Sequence, residues 1–346
     1  MTMEAMETPE QRIRTLAVEL LREGKIDMFV GLRRGVLPLT GTPCFIPASR
    51  GGAQEDLEQA VGQLVWGGYS APNLAAYLVS FYEPDLRLKQ QPEKPVLGLQ
   101  VRSCELRSVY TLVREKQVPR DKLVLVGVPC RGMVDLRRLR EKLDLERVTD
   151  AVEEPGALKL KLPGGEVVRL DREEFIEDAC RECRRPSVPE ESVDFLVDGP
   201  SRKEAAGVYD AVRAFEDRPV EERWRIFLEE TSKCIRCYAC RQACPTCYCR
   251  DCFAEQTDLH WIGASAELSD IQLFHLVRIF HQAGRCSSCG ACARACPVGV
   301  DLRTFTQKIV KDVDEFFGSL PGFSLEEVSP LNVFREDDGE EFMSEP

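Results

Sequence analysis

Two cysteine runs of identical spacing constrain this chain more than anything else in it. They are Cys234-x2-Cys237-x2-Cys240-x3-Cys244-Pro245 and Cys286-x2-Cys289-x2-Cys292-x3-Cys296-Pro297. Eleven of the sixteen cysteines lie between positions 234 and 296. Scattered buried cysteines, acting as small hydrophobes, do not cluster in this way. The first run extends into KCIRCYACRQACPTCYCRDC (233–252), with seven cysteines in twenty residues.

One C-x2-C pair alone is often a zinc site. Two full copies ending in proline follow the bacterial dicluster ferredoxin pattern, in which the fourth cysteine of each run ligates the other cluster. The spacing therefore assigns Cys234, Cys237, Cys240 and Cys296 to one [4Fe-4S] cluster. Cys286, Cys289, Cys292 and Cys244 are assigned to a second. Pro245 and Pro297 redirect the chain after the crossing ligand, and Gly290 allows close approach of backbone to a cluster. The segment between the runs contains ELSDIQLFHLVRIFHQAG (267–284), with Ile271, Phe274, Val277 and Phe280 at helical spacing. Ser269 or Asp270 is expected to cap its start and Gly284 its end. A helix in this position points to the α-helical ferredoxin fold.

The 346 residues suffice for two or three domains. A net charge of −12 argues against nucleic acid or an anionic membrane as main partner. No apolar run reaches the ~18–20 residues of a membrane span, so no transmembrane segment is expected. MTMEAMETPEQRIR lacks a basic region followed by an apolar one, so a cytoplasmic location is expected. In that reducing compartment the cysteines are not expected to form disulfides.

The expected architecture is an α+β or α/β N-terminal domain followed by an α-helical dicluster ferredoxin domain. Residues 1–200 read as the α/β domain, 201–230 as a charged helical linker, 231–320 as the ferredoxin domain and 321–346 as an acidic tail. A helix over about 9–23 should start at Pro9 and stop at Gly24. KIDMFVGL, PVLGLQV (95–101) and KLVLVGVP (122–129) read as strands, the last two followed by helix-prone stretches. ALKLKLPGGEVVRL reads as a hairpin within a β-rich appendage (156–200) that also holds VDFLVDG. LRTFTQKIVKDVDEFF (302–317) reads as a helix. In the tail, Phe334 and Phe342 among carboxylates suit either a docking peptide or a frayed terminus.

Eight cysteines remain. Cys180 and Cys183 form a C-x2-C pair, while Cys104 and Cys130 follow strands at strand-to-helix turns, where α/β sites are built. Together they are candidates for a third [4Fe-4S] cluster, with Cys44 as a substitute ligand; structural zinc and inert thiols are the alternatives. Cys247, Cys249 and Cys252 either pack beside a cluster or tune it. His275 and His281 lie six apart on one helix and do not share a face as paired ligands would. There is no nucleophile elbow, phosphate loop or G-x-G-x-x-G, which leaves a flavin without a linear motif.

CIRCYACRQACPTCYC and HLVRIFHQAGRCSSCGACARACPVGVDL resemble the signatures of the iron–sulfur β subunits of anaerobic hydrogenases and dehydrogenases, a group that includes the corresponding iron–sulfur component of anaerobic sulfite reductase. IDMFVGLRRGVLPLTGTPCFI and VRSCELRSVYTL are similar to that family's opening elements. LVLVGVPC and ACRECRRP resemble the β subunit of deazaflavin-reducing hydrogenase, whose corresponding domain binds FAD and a cluster. The resemblance implies an electron-transfer component of a multisubunit complex, with other redox subunits as partners and no bond chemistry of its own. Its catalytic partner would be a hydrogenase, formate dehydrogenase, heterodisulfide-reductase-like enzyme or sulfite reductase. The alternative is a chain bearing FAD that exchanges electrons between a deazaflavin or nicotinamide and its clusters.

Overall fold

Thr8 and Gln11 form a reciprocal capping box ahead of α1 (Pro9–Arg22), with Pro9 in the first turn where its missing N–H costs nothing. Ile13, Leu16, Ala17, Leu20 and Leu21 form its buried stripe. The computed structural model describes residues 7–48, 54–69, 71–154, 156–256, 258–263, 265–333 and 336. They form two units: Met1–Leu106 with Pro119–Ala206, and Arg107–Val118 with Gly207–Pro346.

The first unit is built on a five-stranded sheet. β1 (Met28–Arg34) pairs antiparallel with β2 (Gly41–Pro47), from Met28 opposite Pro47 to Arg34 opposite Gly41. Helices α2 (Gln54–Gly62) and α3 (Leu78–Tyr82) follow, then β3 (Leu97–Val101), parallel to β1. α4 (Ser103–Arg114) leaves the end of β3 and is divided between the two units. β4 (Leu123–Gly127) lies parallel to β3 and is followed by α5 (Leu136–Lys142). All five residues of β3 are buried, as expected of a central parallel strand covered on both faces. Cys104 and Cys130 both lie just past the carboxyl ends of these parallel strands, the edge at which α/β sheets build sites.

A separate antiparallel sheet contains β5 (Asp150–Glu154), β6 (Ala157–Lys161) and β7 (Val167–Asp171). The β6–β7 hairpin has the expected turn at PGG, where Gly164 and Gly165 both take positive φ. β5 was not anticipated: most of its residues are charged or exposed, so alternation is weak, and pairing with β6 decides its conformation. α6 (Asp178–Arg181) carries Cys180. VDFLVDG contributes only β8 (Phe195–Leu196), and β8 joins β4 in the main sheet rather than the appendage. Backbone pairing to an open parallel edge, which composition does not reveal, makes that choice.

The second unit is helical after α4. α7 (Asp210–Glu216) and α8 (Val220–Ser232) replace a continuous helix over 203–230, because Pro219 interrupts it. α9 (Ala239–Gln242) and α11 (Ala291–Ala295) are single turns at equivalent places in the two cysteine runs, and they pack on each other. α10 (Leu268–His281) packs against α8 and against α12 (Arg303–Phe317). Glu267 occupies the N-cap of α10 without a side-chain cap bond, so neither Ser269 nor Asp270 caps it. The buried stripe of α10 is also rotated from the expected one: Ile271, Phe274, His275 and Arg278 are buried, whereas Phe280 is 63% exposed. Phe334 and Phe342 lie outside the described residues. Among the described residues no helix is long and apolar enough to cross a membrane.

Phe227 centres the core behind the cysteine loops. It stacks on Trp224 at 5.2 Å and meets Phe305 edge-on at 5.5 Å, beside Ile279, Val300 and Leu302. Cys234 and Cys296 pack against this cluster. Phe227→Ala should cost about 3–5 kcal/mol, read as a lower thermal unfolding midpoint, while Trp224→Ala at the half-exposed rim should cost clearly less.

Candidate metal centres

The two cysteine loops share one unusual backbone. Arg236 and Tyr238 in the first run have φ of 58°, and Ser288 and Gly290 at the equivalent places in the second have 57° and 70°. Three of these four are not glycine, and left-handed backbone at such residues persists only where the surroundings enforce it. The return it gives is an N–H aimed at sulfur: Arg236 N–H donates to Cys234 Sγ at 3.3 Å and Ser288 N–H to Cys286 Sγ at 3.4 Å. Val300 N–H donates to Cys296 Sγ at 3.2 Å. Tyr238 is held in place by Phe274 edge-on at 5.1 Å, by Arg236 Nε donating to its hydroxyl at 2.9 Å, and by Arg241 over its ring.

Thiols of the two runs lie near one another. Cys234 has Cys296 and Cys237 as thiol neighbours, and Cys240 has Cys292, Cys234 and Cys296. Cys286 has Cys289, Cys244 and Cys292. The groups adjoin, since Cys292 also neighbours Cys240. Cys237 is exposed, while Cys244, Cys286 and Cys292 are half-buried. Burial pushes the Cys240 thiol up to about 11, and burial followed by the crowding of Cys289, Cys244 and Cys292 raises Cys286 further. Among the described residues no three His, Cys, Asp or Glu side chains are placed to hold a single metal ion. Crowded thiols with N–H groups aimed at their sulfurs fit a cubane, whose iron compensates the thiolate charge and whose sulfurs accept such bonds.

Behind the thiols stands the polar side of α10, which spacing of apolar residues did not reveal. Ile271, Phe274, His275, Arg278 and Gln282 follow steps of three and four, so they share a face despite three being polar. His275 is buried, and burial together with the neighbouring Arg278 charge lowers its pKa to about 4, so the imidazole stays neutral. His281 instead packs edge-on against Phe253 at 5.7 Å. Gln282 Nε2 lies 3.6 Å from Cys247 Sγ, and its Oε1 accepts from Thr246 Oγ1 at 2.6 Å. Cys247 therefore sits in the polar shell of Cys244; Cys249 is exposed, and Cys252 lines a shallow cavity with Cys247, Arg241 and Arg285. The later part of α4 is tied to this region by Arg285 Nε donating to Glu115 at 2.6 Å and by Ser108 and Ser287 hydroxyls 2.8 Å apart.

In the first unit, Cys130, Cys180 and Cys183 are mutual neighbours, and Cys104 joins Cys130 beside the Arg102 guanidinium. Met133 N–H donates to Cys180 Sγ at 3.2 Å, and the Gly132 N–H is directed at Cys130. Gly132 has φ +87, and a Cβ there would lie 2.9 Å from Arg202 and 3.2 Å from Cys180. Cys44 is not part of this group: it lies on β2 opposite Gly31, against the apolar core. Residues 200–205 run alongside the thiols, with Arg202 N–H to Cys130 O at 2.9 Å and Ala205 N–H to Cys183 O at 3.0 Å. The same segment lines an open cleft with Arg131, Arg172 and Arg181.

Arg102 and Glu105 form a bidentate pair, 3% and 1% exposed, with bonds of 2.9 and 3.0 Å. Removing one partner of a buried pair leaves an uncompensated charge. Glu105→Gln should therefore destabilise the protein by roughly 3–5 kcal/mol, measured by thermal denaturation; an unchanged midpoint would show that the pair carries no such weight.

A model of the 4Fe-4S dicluster domain matches residues 230–300. The β subunit of F420-dependent formate dehydrogenase from Methanocaldococcus jannaschii is 22% identical, over 88% of this chain and 89% of that protein. The β subunit of F420-dependent formate dehydrogenase 1 from Methanococcus maripaludis is also 22% identical, over 76% and 78%. A chain of the F420-reducing [NiFe] hydrogenase complex from Methanosarcina barkeri aligns at 14% identity with a TM-score of 0.40, covering 66% of this chain and 88% of that one, a likeness too low to carry an argument. A mixed α/β region thus precedes a helical region that carries a 4Fe-4S dicluster domain, and over most of its length the chain is similar to these formate dehydrogenase β subunits.

Proposed function

We propose that this chain is the electron-transfer component of a multisubunit redox complex in the reducing cytoplasm, relaying single electrons between a catalytic oxidoreductase partner and a donor or acceptor partner. The observation that carries the reading is the match of residues 230–300 to a 4Fe-4S dicluster domain, with thiols of the two cysteine runs lying near one another. Cys234, Cys237, Cys240 and Cys296 would hold one [4Fe-4S] cluster, and Cys286, Cys289, Cys292 and Cys244 the other, within a ferredoxin-type domain over 231–320. Bound clusters would supply one-electron oxidation and reduction at low potential. The chain's own residues do the rest. The α10 and Phe227 packing excludes water, and the N–H groups of Arg236, Ser288 and Val300 stabilise charge on sulfur. Exposed Cys237, flanked by Ile235 and Val298 at 57% and 38% exposure, offers the face where a partner would exchange electrons.

Cys104, Cys130, Cys180 and Cys183 are proposed as ligands of a third [4Fe-4S] cluster in the α/β region (1–200). Full occupancy then gives about twelve iron atoms per chain, four per cubane. Anaerobically purified protein should show this content, and Cys130→Ser should lose about four of them. A wild-type content near eight would remove the third cluster. Crossed ligation has its own test by electron paramagnetic resonance. Cys244→Ser and Cys289→Ser should abolish the same signal, and Cys296→Ser and Cys237→Ser the other; loss of one common signal by Cys244→Ser and Cys237→Ser would refute the assignment.

A second reading is favoured by the cleft beside Cys130 and Cys183, where Arg131, Arg172, Arg181, Arg202 and Lys203 gather. A basic cleft of this kind suits the phosphates of FAD, making the chain a flavin-bearing one that would exchange electrons with a deazaflavin or nicotinamide. Denaturing the anaerobically purified complex should then release a yellow chromophore with flavin fluorescence, and Arg202→Glu should reduce the amount released. A supernatant without flavin would leave the relay alone.

A further inference from the structure

Arg278 on α10 lies near thiols of both groups. Its Nη2 donates to the carbonyl of Cys240 at 3.2 Å, and the guanidinium lies near the thiols of Cys292 and Cys247. Cys240 belongs to the first proposed cluster site, Cys292 to the second, and Cys247 to the surplus thiols beside Cys244. The side chain lines the cavity of the first site and also the shallow cavity holding Cys247, Cys249 and Cys252. It is 8% exposed.

Two of the buried arginines face carboxylates, and Arg107, which like Arg278 has no carboxylate ion pair among the described residues, donates to the Ser287 carbonyl and lies over the Phe323 ring. Arg102 has Glu105, and Arg172 has Glu153. No carboxylate forms an ion pair with Arg278 among the described residues, and its Nε is buried with no hydrogen-bond partner. An unpaired buried guanidinium is expensive. What surrounds it instead is sulfur, from Cys292, Cys244, Cys247 and Cys240.

We propose that Arg278 is a shared counter-charge and positioning residue for both clusters, raising the reduction potential of each and reducing the penalty of holding two reduced clusters side by side. The inference rests on the relay reading above. Each cubane with four thiolates is anionic and gains one further negative charge on reduction, so a fixed cation between two of them stabilises the reduced form of both. Gln282 and Cys247 are the neutral part of the same shell: the amide orients Cys247 toward the guanidinium without adding charge. This gives Cys247 a role in holding Arg278, which the exposed Cys249 does not share.

The test is a potentiometric titration of the anaerobically purified full chain, followed by electron paramagnetic resonance, for wild type, Arg278→Gln and Arg278→Lys. With iron content equal to wild type, Arg278→Gln should lower both midpoint potentials, whereas Arg278→Lys, which keeps the charge and loses the fork, should leave both close to wild type. An unchanged pair of potentials in Arg278→Gln, or a fall in only one, overturns the proposal. Should Arg278→Gln fail to retain iron, Arg278→Lys decides alone: both potentials staying near wild type supports the shared charge, and a fall in either overturns it. Wild-type protein lacking cluster signals would refute the relay reading instead, so the two failures are distinguishable.

Discussion

Gathering crowded thiols away from water is the constraint on which the helical unit depends. Sulfur ligands that must become anionic cannot be buried beside one another without compensation. Here compensation comes from three directions. Left-handed residues turn backbone N–H groups onto Cys234 and Cys286, a buried arginine on α10 faces the thiols, and the donor set invites iron. The aromatic and aliphatic cluster around Phe227 then seals the far side of Cys234 and Cys296.

The α/β unit solves a related problem with a different scaffold. Its parallel strands β3 and β4 end at one edge of the sheet, and the cysteines that follow them are carried there by strand geometry rather than by a local loop motif. The charges nearby are paired internally, as Arg102 with Glu105 and Arg172 with Glu153. In the second unit Arg285 is likewise paired with Glu115, whereas Arg278 faces sulfur. The cleft lined by residues 200–205 keeps a surplus of cationic side chains.

Much of the fold was legible in the sequence because its signals are local. Proline and a capping box start α1, strand–helix alternation marks the parallel sheet, and PGG marks the β6–β7 hairpin. The failures share one cause. β5 and the placement of β8 depend on which strand edge is free to pair, α7 and α8 on a proline inside a charged stretch, and the buried face of α10 on polar residues turned inward. Counting only apolar residues selected Phe280, which is exposed, and passed over His275, Arg278 and Gln282, which are buried.

The sequence by itself marked the dicluster region, since two cysteine runs of equal spacing ending in proline follow the ferredoxin pattern that the 4Fe-4S dicluster domain over residues 230–300 matches. It also determined the division into an α/β region and a helical one. Only the tertiary structure decided what surrounds those sulfurs: which cation faces them, which surplus thiol stands beside Cys244, and which cysteine reaches solvent. The reason is physical. Ligand spacing is a short-range property of the chain, whereas the electrostatic environment of a buried site is assembled from residues that the sequence keeps tens of positions apart.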